Sequence, residues 1–587
     1  MVGGGVGGIE GIELIELIEL VELVELVELV ELEGIRKVRS SWDIIGKNLK
    51  KIEFQFEKNV VSVEISEINN NENPKTTTAY NMNILQQISV TGNLIEQVPN
   101  SDFSNFLGKT IQLLDSESKI LDMIEDDLDF KGKAKKAVRI EDFRYLERYN
   151  CELLGNEFDS SDCTPISVED LQLHQGRPRM SAKLVFLMIL VQGYLGSLTN
   201  QKNFDFLKES RTFSLLLEAY GWKFPGRSTI NENLNKVSLE THEYILKRQI
   251  QFLIGLNLDD FKELTIDSTS VSADSKWPTD SGIILALLQR SYHLGQKLDR
   301  FETENLRPGW CPRWLKEIKQ LDFQINCLSG RKRKVKRLYK QLLNKAEEFA
   351  AHLSREMERW NSNTDLHHLL PSKKAQVRTV IDVIAKDTTD VSRTILNARN
   401  RIFQGVSVKA KEKVLSISDP DAAFIKKGGR EPVVGYKPQL VRSKQGFVVS
   451  LVLPPGSASD SGQFVPVIEQ AIKNTGVLPH LVSADDGYSS QSARKYLLDK
   501  GVNIVNISGS KGKKIISDDD WNSDLYKEAR RNRSAVESLM SIMKGCFGLG
   551  RMFVRGLDNV RRSMFQKAVA YNFLRCIYWF ENPIEQT

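Results

Sequence analysis

The stretch HLVSADDGYSSQSARKYLLDKGVNIVNIS, residues 480–508, decides the fold. It begins with HLVSADDGY and ends with VNIVNIS, two short apolar runs that read as strands. Between them SARKYLLDK carries helical spacing. The first strand runs out at Asp485 and Asp486, so carboxylates stand where its backbone leaves the sheet.

Upstream, SGQFVPVIEQAIKNT (461–475) reads as a helix. EPVVGYKPQLVRSKQGFVVSLVLPP (431–455) forms two alternating runs around a Ser-Lys-Gln-Gly turn, which is a hairpin, and VLSIS (414–418) adds a short strand before it. Further back, LDDFKELTIDSTS (258–270) is a buried strand, Leu264 to Ile266, ending in Asp267. Downstream, the loop SKGKKIISDDDWNS (510–523) leads to YKEARRNRSAVESLMSIMK (526–544). As one helix at 100° per residue, this last segment puts Arg533, Glu537 and Lys544 on one face within roughly 40°. Tyr526 and Arg530 fall on the same stripe, while Val536, Leu539, Met540 and Met543 form an apolar one. Considered alone, the helix needs no more than an i,i+4 ion pair between Arg533 and Glu537.

The element order is a strand with Asp267, hairpin, helix, strand with Asp485, helix, strand, and helix with Glu537. It predicts an α/β fold with an RNase-H-like mixed sheet and flanking helices. The first strand and the strand after the crossover are neighbours in such a sheet, so Asp267 and Asp485 converge and Glu537 arrives from a helix. Three carboxylates at one point repel and resist desolvation. Two Mg²⁺ or Mn²⁺ ions ~3.5–4 Å apart relieve that conflict and suit in-line phosphoryl displacement.

The rest of the chain fits several domains, since 587 residues exceed one core. Residues 1–34 are a low-complexity IEL/VEL repeat whose triplet period leaves no fixed apolar face. They hold nine glutamates and no Lys or Arg, so the formal net charge of +5 becomes +14 for residues 35–587. That excess suits a polyanion partner. Residues 35–165 form an N-terminal region of no assigned role: strand-like alternation in KIEFQFEKNVVSVEISEI (51–68), without visible chemistry up to 125, then a charged run, DFKGKAKKAVR (129–139), that reads as a solvated linker or a weak phosphate contact. Residues 166–250 read as a helical, helix-turn-helix-like DNA-binding domain, with Thr229 and Glu232 at capping-box spacing marking a helix start. Asn231, Asn233 or Asn235 would reach base edges there, and Arg177 and Arg179 would meet phosphate. The catalytic core would be 258–280 and 405–545, split by a helical insertion, 281–404, that contains RKRKVKR (331–337). Residues 546–587 would be a C-terminal helical segment. The six cysteines form no CxxC pair, and no window of 18 apolar residues or leader pattern is visible. A cytoplasmic protein without a membrane segment is the expectation.

At these residues the sequence resembles the DDE transposases of bacterial insertion sequences, over about 176–245, 262–282 and 405–580. ADDGY (484–488) is similar to that family's A-D-x-G-Y block, which points to Asp485 as the metal ligand with Asp486 as the alternative. In the family's Y-x2-R-x3-E-x6-K pattern, Arg533, Glu537 and Lys544 fit, and Arg530 stands at the tyrosine position. IDSTSVSADSKWPTDS resembles the group called ISNCY, and GRPRM…GRSTINENL resembles the DNA-binding region of such enzymes. The resemblance implies two divalent ions on Asp267, Asp485 and Glu537. It implies Arg530, Arg533 and Lys544 on DNA phosphates, and a homodimer or larger assembly on terminal inverted repeats and target DNA. The activity implied is cleavage and strand transfer, with water and then a 3′-OH as nucleophiles. A same-fold nuclease and a decayed, DNA-binding transposase relative are the alternatives.

Overall fold

The computed structural model describes residues 52–57, 60–65, 102–154, 171, 179–196, 200–298, 312–328, 332–362, 369–426 and 431–582. The IEL/VEL repeat and Arg177 lie outside them. The chain divides into two units, Met1–Asn100 and Ser101–Thr587. In the first, β1 (Ile52–Glu57) and β2 (Val60–Ile65) pair antiparallel, Ile52 opposite Ile65, as their alternation predicts.

The second unit opens with α1 (Asp102–Ser116) and α2 (Lys119–Leu154). The segment read as a charged linker, 129–139, is continuous helix within α2, because Lys, Arg and Ala are good helix formers and no glycine pair or proline interrupts them. Next come α3 (Ala182–Tyr194), α4 (Asn200–Glu209), α5 (Arg211–Ala219), α6 (Arg227–Lys236) and α7 (Leu239–Gly255). Ser181, Ser210 and Ser238 cap α3, α5 and α7 through their hydroxyls. The Thr229–Glu232 capping box does not form. α6 starts at Arg227 behind Gly226, and the Glu232 carboxylate instead engages Lys135 at 2.7 Å and Lys236 at 3.6 Å.

Strands β3 (Glu263–Ser268) and β4 (Val271–Ser272) follow, then the insertion helices α8 (Asp280–Leu298), α9 (Pro312–Cys327), α10 (Lys332–Ser362) and α11 (Pro371–Arg399). These four share a hydrophobic core of their own, around Ile284, Leu288, Leu342, Phe349, Trp360 and Ile384. Arg290 of α8 ties them by an ion pair to the buried Asp387 of α11. VLSIS is not a strand. Instead β5 (Ala423–Ile425) pairs with β6 (Val433–Tyr436), which pairs in turn with β4.

The run read as the hairpin's first arm is split at Lys437–Pro438. β6 belongs to the small three-stranded sheet, and β7 (Gln439–Ser443) with β8 (Val448–Val452) to the large one. Proline has no N–H to give a ladder, so one sheet ends and the other begins there. The Pro438 carbonyl accepts from the Thr269 N–H at 3.1 Å, where the β3 chain makes the same change of sheet. The remaining elements are α12 (Asp460–Thr475), β9 (Leu481–Ala484), α13 (Gln491–Asp499), β10 (Ile504–Ile507), α14 (Ser510–Ile515), α15 (Asp518–Asn522), α16 (Asp524–Asn532), α17 (Ala535–Gly545) and α18 (Leu557–Glu581).

The large sheet has the order β10-β9-β3-β7-β8, with β3 parallel to β9 and antiparallel to β7. This mixed sheet is consistent with an RNase-H-like domain. Helices α3, α7 and α18 share one core with it, from Phe186 and Ile250 through Ile266 and Val482 to Phe573. The helices of 179–255 are therefore not set apart from the sheet by a core of their own. No helix among the described residues is long and apolar enough to cross a membrane.

α3 is buried nearly all round, pressed against α18. The two backbones touch at Gly193, where a Cβ would stand 2.1 Å from the Gln566 carbonyl oxygen. Beside it Lys567 is buried and donates to the Gly196 and Phe547 carbonyls, both at 2.6 Å. Gly193→Ala forces the helices apart, and urea denaturation should register a loss of roughly 1–3 kcal/mol. Unchanged stability would mean that the helices separate without cost.

Candidate active site

The ladder between β3 and β9 sets the site. Its pairs are Glu263–Leu481, Leu264–Val482 and Thr265–Ser483. Side chains alternate along a strand, so the next same-face positions beyond Thr265 and Ser483 are Asp267 and Asp485. Both stand at the edge where the two chains leave the sheet. Asp267 is buried, and its carboxylate accepts the Ser268 N–H at 2.6 Å. Asp485 caps a single 3-10 turn, Asp486–Tyr488, by accepting the Gly487 N–H at 3.0 Å.

Asp486 is employed otherwise. Its carboxylate accepts the N–H groups of Lys511 at 2.8 Å and Gly512 at 3.0 Å, and so caps α14 from across the fold. The entry to that helix is Gly509, at φ +101°, where a Cβ would lie 2.6 Å from the Asp486 side chain. This capping starts the short helix α14 in 510–523, read as a loop, and the Ser517 hydroxyl caps α15 after it.

The single helix expected over 526–544 is two. α16 ends at Asn532, and α17 starts at Ala535 after Arg533 and Ser534. The common stripe is therefore broken at its middle. Tyr526 is buried and takes a hydrogen bond from Arg494 at 3.2 Å. Arg530 is half-buried, its guanidinium 4.1 Å over the Trp521 ring and donating to the Trp521 carbonyl at 2.7 Å. α17 packs against β3 through an apolar face of Val536, Leu539, Met540 and Met543, as its spacing predicts. On its exposed side Glu537 accepts from Arg533 at 3.1 Å, the i,i+4 pair. Lys544, in the last turn, is half-buried. Among the described residues no three metal-capable side chains are gathered at one point.

A residue that sequence reading missed stands beside the two aspartates. Asp460, the first residue of α12, accepts from Lys437 at 2.8 Å and Gln439 at 3.0 Å. Burial opposes its charge, but the hydrogen bonds from Lys437 and Gln439 outweigh that and hold its carboxyl below the usual range. A Cβ on Gly487 would be 3.0 Å from Asp485 Oδ1 and 3.1 Å from Asp460 Oδ2, so those oxygens are at most about 6 Å apart. Tyr488 is buried against Phe464, and its hydroxyl donates to Gln439 Oε1. Burial, reinforced by Asp460, Asp267 and Asp485, pushes its phenol far up and keeps it protonated. The only sequence signal for Asp460 was the Ser459 N-cap, which announces a helix and not a site.

The residues proposed from sequence to bind DNA are scattered. Asn233 is buried and donates its amide to the Thr229 carbonyl at 2.8 Å, which removes it from base reading. Asn231 is half-buried on α6, and Arg179 pairs with Asp129 of α2. Other cations take a more open position. Arg551 and Arg555 both reach Asp274 in the loop after β4, at 3.6 and 2.8 Å, and Arg551 lies 6.0 Å from the exposed Phe553 ring. On α10, Lys332, Arg333, Lys334, Lys336, Arg337 and Lys340 are all exposed, with no acidic residue in the first turn.

No curated protein and no solved structure matches the chain. A family model does, over a segment that includes Asp485, Glu537 and strands β5 to β10 but begins after β3, β4 and Asp267. That model is the transposase DDE domain, and it matches residues 401–573 of the chain.

Proposed function

We propose that this protein binds the terminal inverted repeats of a mobile DNA element, cuts the strands there and joins them to target DNA, acting as a dimer or larger assembly. The observation that carries this reading is the register of β3 on β9, which aligns Asp267 and Asp485 on one face of the sheet edge. The matched DDE domain supplies the reaction class.

Divalent metal fits this edge in part. Asp267 and Asp485 offer hard oxygen donors side by side, and Gly487 leaves the space before Asp485 without a side chain. Glu537 is held by Arg533, so it would join them only by giving up that partner. A bound Mg²⁺ or Mn²⁺ would polarise the scissile phosphate and favour deprotonation of the attacking oxygen. The chain's own contribution is placement. Asp267 and Asp485 would face the phosphate to be cut, and Glu537, on the exposed side of α17, would have to turn toward them. Arg533, once released, would neutralise phosphate charge. Lys544 lies about 10 Å beyond Glu537 along the helix, a separation that suits the next phosphates.

Asp267→Ala, Asp485→Ala and Glu537→Ala should each abolish Mg²⁺-dependent nicking of cognate DNA ends while end binding persists. Asp486→Ala should lower thermal stability and leave some nicking. Nick mapping on the flanking DNA checks all four, and full activity in any of the first three removes that residue from the site. Strand transfer from a pre-cut end separates a transposase from a nuclease.

The cation run at the start of α10 generates a second test. Positive charges at a helix N-terminus oppose its dipole and one another, each at a cost of a few tenths of a kcal/mol. Pairing with phosphate would offset that cost. Changing Lys332, Arg333 and Lys334 to Gln should therefore raise the melting temperature. It should also lower the slope of log affinity against log salt by about 0.9 for each phosphate left without its cation. Lys544→Ala should lower the same slope by about 0.9. Unchanged slopes in both variants would place neither group on DNA.

A further inference from the structure

Behind the two aspartates, four side chains from four separate elements close into a hydrogen-bonded ring. The Tyr488 hydroxyl donates to Gln439 Oε1, and Gln439 Nε2 donates to Asp460 Oδ1 at 3.0 Å. The Ser268 hydroxyl stands against both Asp460 and Tyr488 and closes the ring by giving its one proton to either of them. Lys437 neutralises the ring's one charge from outside, at 2.8 Å from Asp460. All but the Asp460 and Lys437 tips are buried.

The ring's attachment points give it a meaning beyond stability. Ser268 is the residue after Asp267, and Tyr488 ends the 3-10 turn that Asp485 begins. Gln439 is the Cα partner of Ser268 across the β3–β7 ladder, and Asp460 opens α12. The β3–β9 ladder stops at Thr265–Ser483, before either aspartate. Past that pair no backbone bond of the ladder fixes how far Asp267 stands from Asp485, and the ring is what spans the gap. A side chain at one end is therefore felt at the other through rigid, desolvated hydrogen bonds.

We propose that Asp460 and Tyr488 are positioning residues: through the ring they set the separation of Asp267 and Asp485, and hence the affinity of that pair for a divalent cation. This rests on the reading of Asp267 and Asp485 as the carboxylate site. Residues that orient metal ligands without touching the metal commonly carry 10–100-fold of affinity. Asp460→Asn removes one charge at constant shape, and Tyr488→Phe removes one oxygen while keeping the ring stacked near Phe464.

The test is Mn²⁺ titration of the full chain without DNA, followed by electron paramagnetic resonance, with thermal melts in parallel. Asp460→Asn and Tyr488→Phe should each weaken Mn²⁺ binding by about tenfold or more. The double variant should be little worse than either single, because both cut the same circuit. Asp267→Ala and Asp485→Ala serve as controls that lose the ion outright. Wild-type Mn²⁺ affinity in both ring variants, with the controls failing, overturns the proposal and leaves the ring a purely structural feature. Fully additive losses overturn it as well, since independent effects do not travel through one circuit. Wild-type affinity in the controls too means that the carboxylate site itself is misassigned, a distinguishable failure.

Discussion

The parallel pairing of β3 with β9 is the constraint on which everything else depends. It places the centre of the sheet, because β3 has β9 on one side and β7 on the other. It also decides which side chains meet at the edge. A slip of one residue would send Asp267 to the opposite face from Asp485. The register is protected on both faces. Leu264, Ile266, Val482 and Ala484 are buried in the main core on one. On the other, Ser483 donates to the Ala529 carbonyl of α16 and accepts from Asn506 of β10. Slippage would bury those polar groups without partners.

Electrostatics then shapes what surrounds the edge. Each carboxylate near it is matched to a donor: Asp460 to Lys437 and Gln439, Asp486 to the backbone of α14, Glu537 to Arg533. The strength of these matches differs with burial. Asp460 and Lys437 are both mostly buried, so their pair is costly to break from one side. Glu537 is well exposed and its pair with Arg533 is worth only a few tenths of a kcal/mol. A phosphate can take Arg533 from Glu537, and a metal ion can take Glu537 from Arg533, far more readily than either can part Asp460 and Lys437.

Much of this was legible along the chain. The strands holding Asp267 and Asp485, the helix between β9 and β10 and the apolar stripe of α17 follow from short-range periodicity. Burial on a sheet or on one helix face imposes that period on the residues. Where reading failed, a local pattern was overruled by a distant group. The 510–523 segment looked like a loop until Asp486 capped it, and Thr229 looked like a cap until Lys135 and Lys236 took Glu232.

By itself, the sequence determined the order of strands and helices and the acidic residues at their ends, because hydrophobic period and strand length are properties of neighbouring residues. Only the tertiary structure decided what each acid does. Asp485 and Asp486 are adjacent, yet one takes the N–H of its own turn and the other a helix start more than twenty residues on. Asp460 reached the site through partners on β3, β7 and the turn after β9. Such partnerships join residues far apart in the chain, so no window of sequence contains them. They exist only once burial in a shared core has brought the elements together and left each polar group to find a donor.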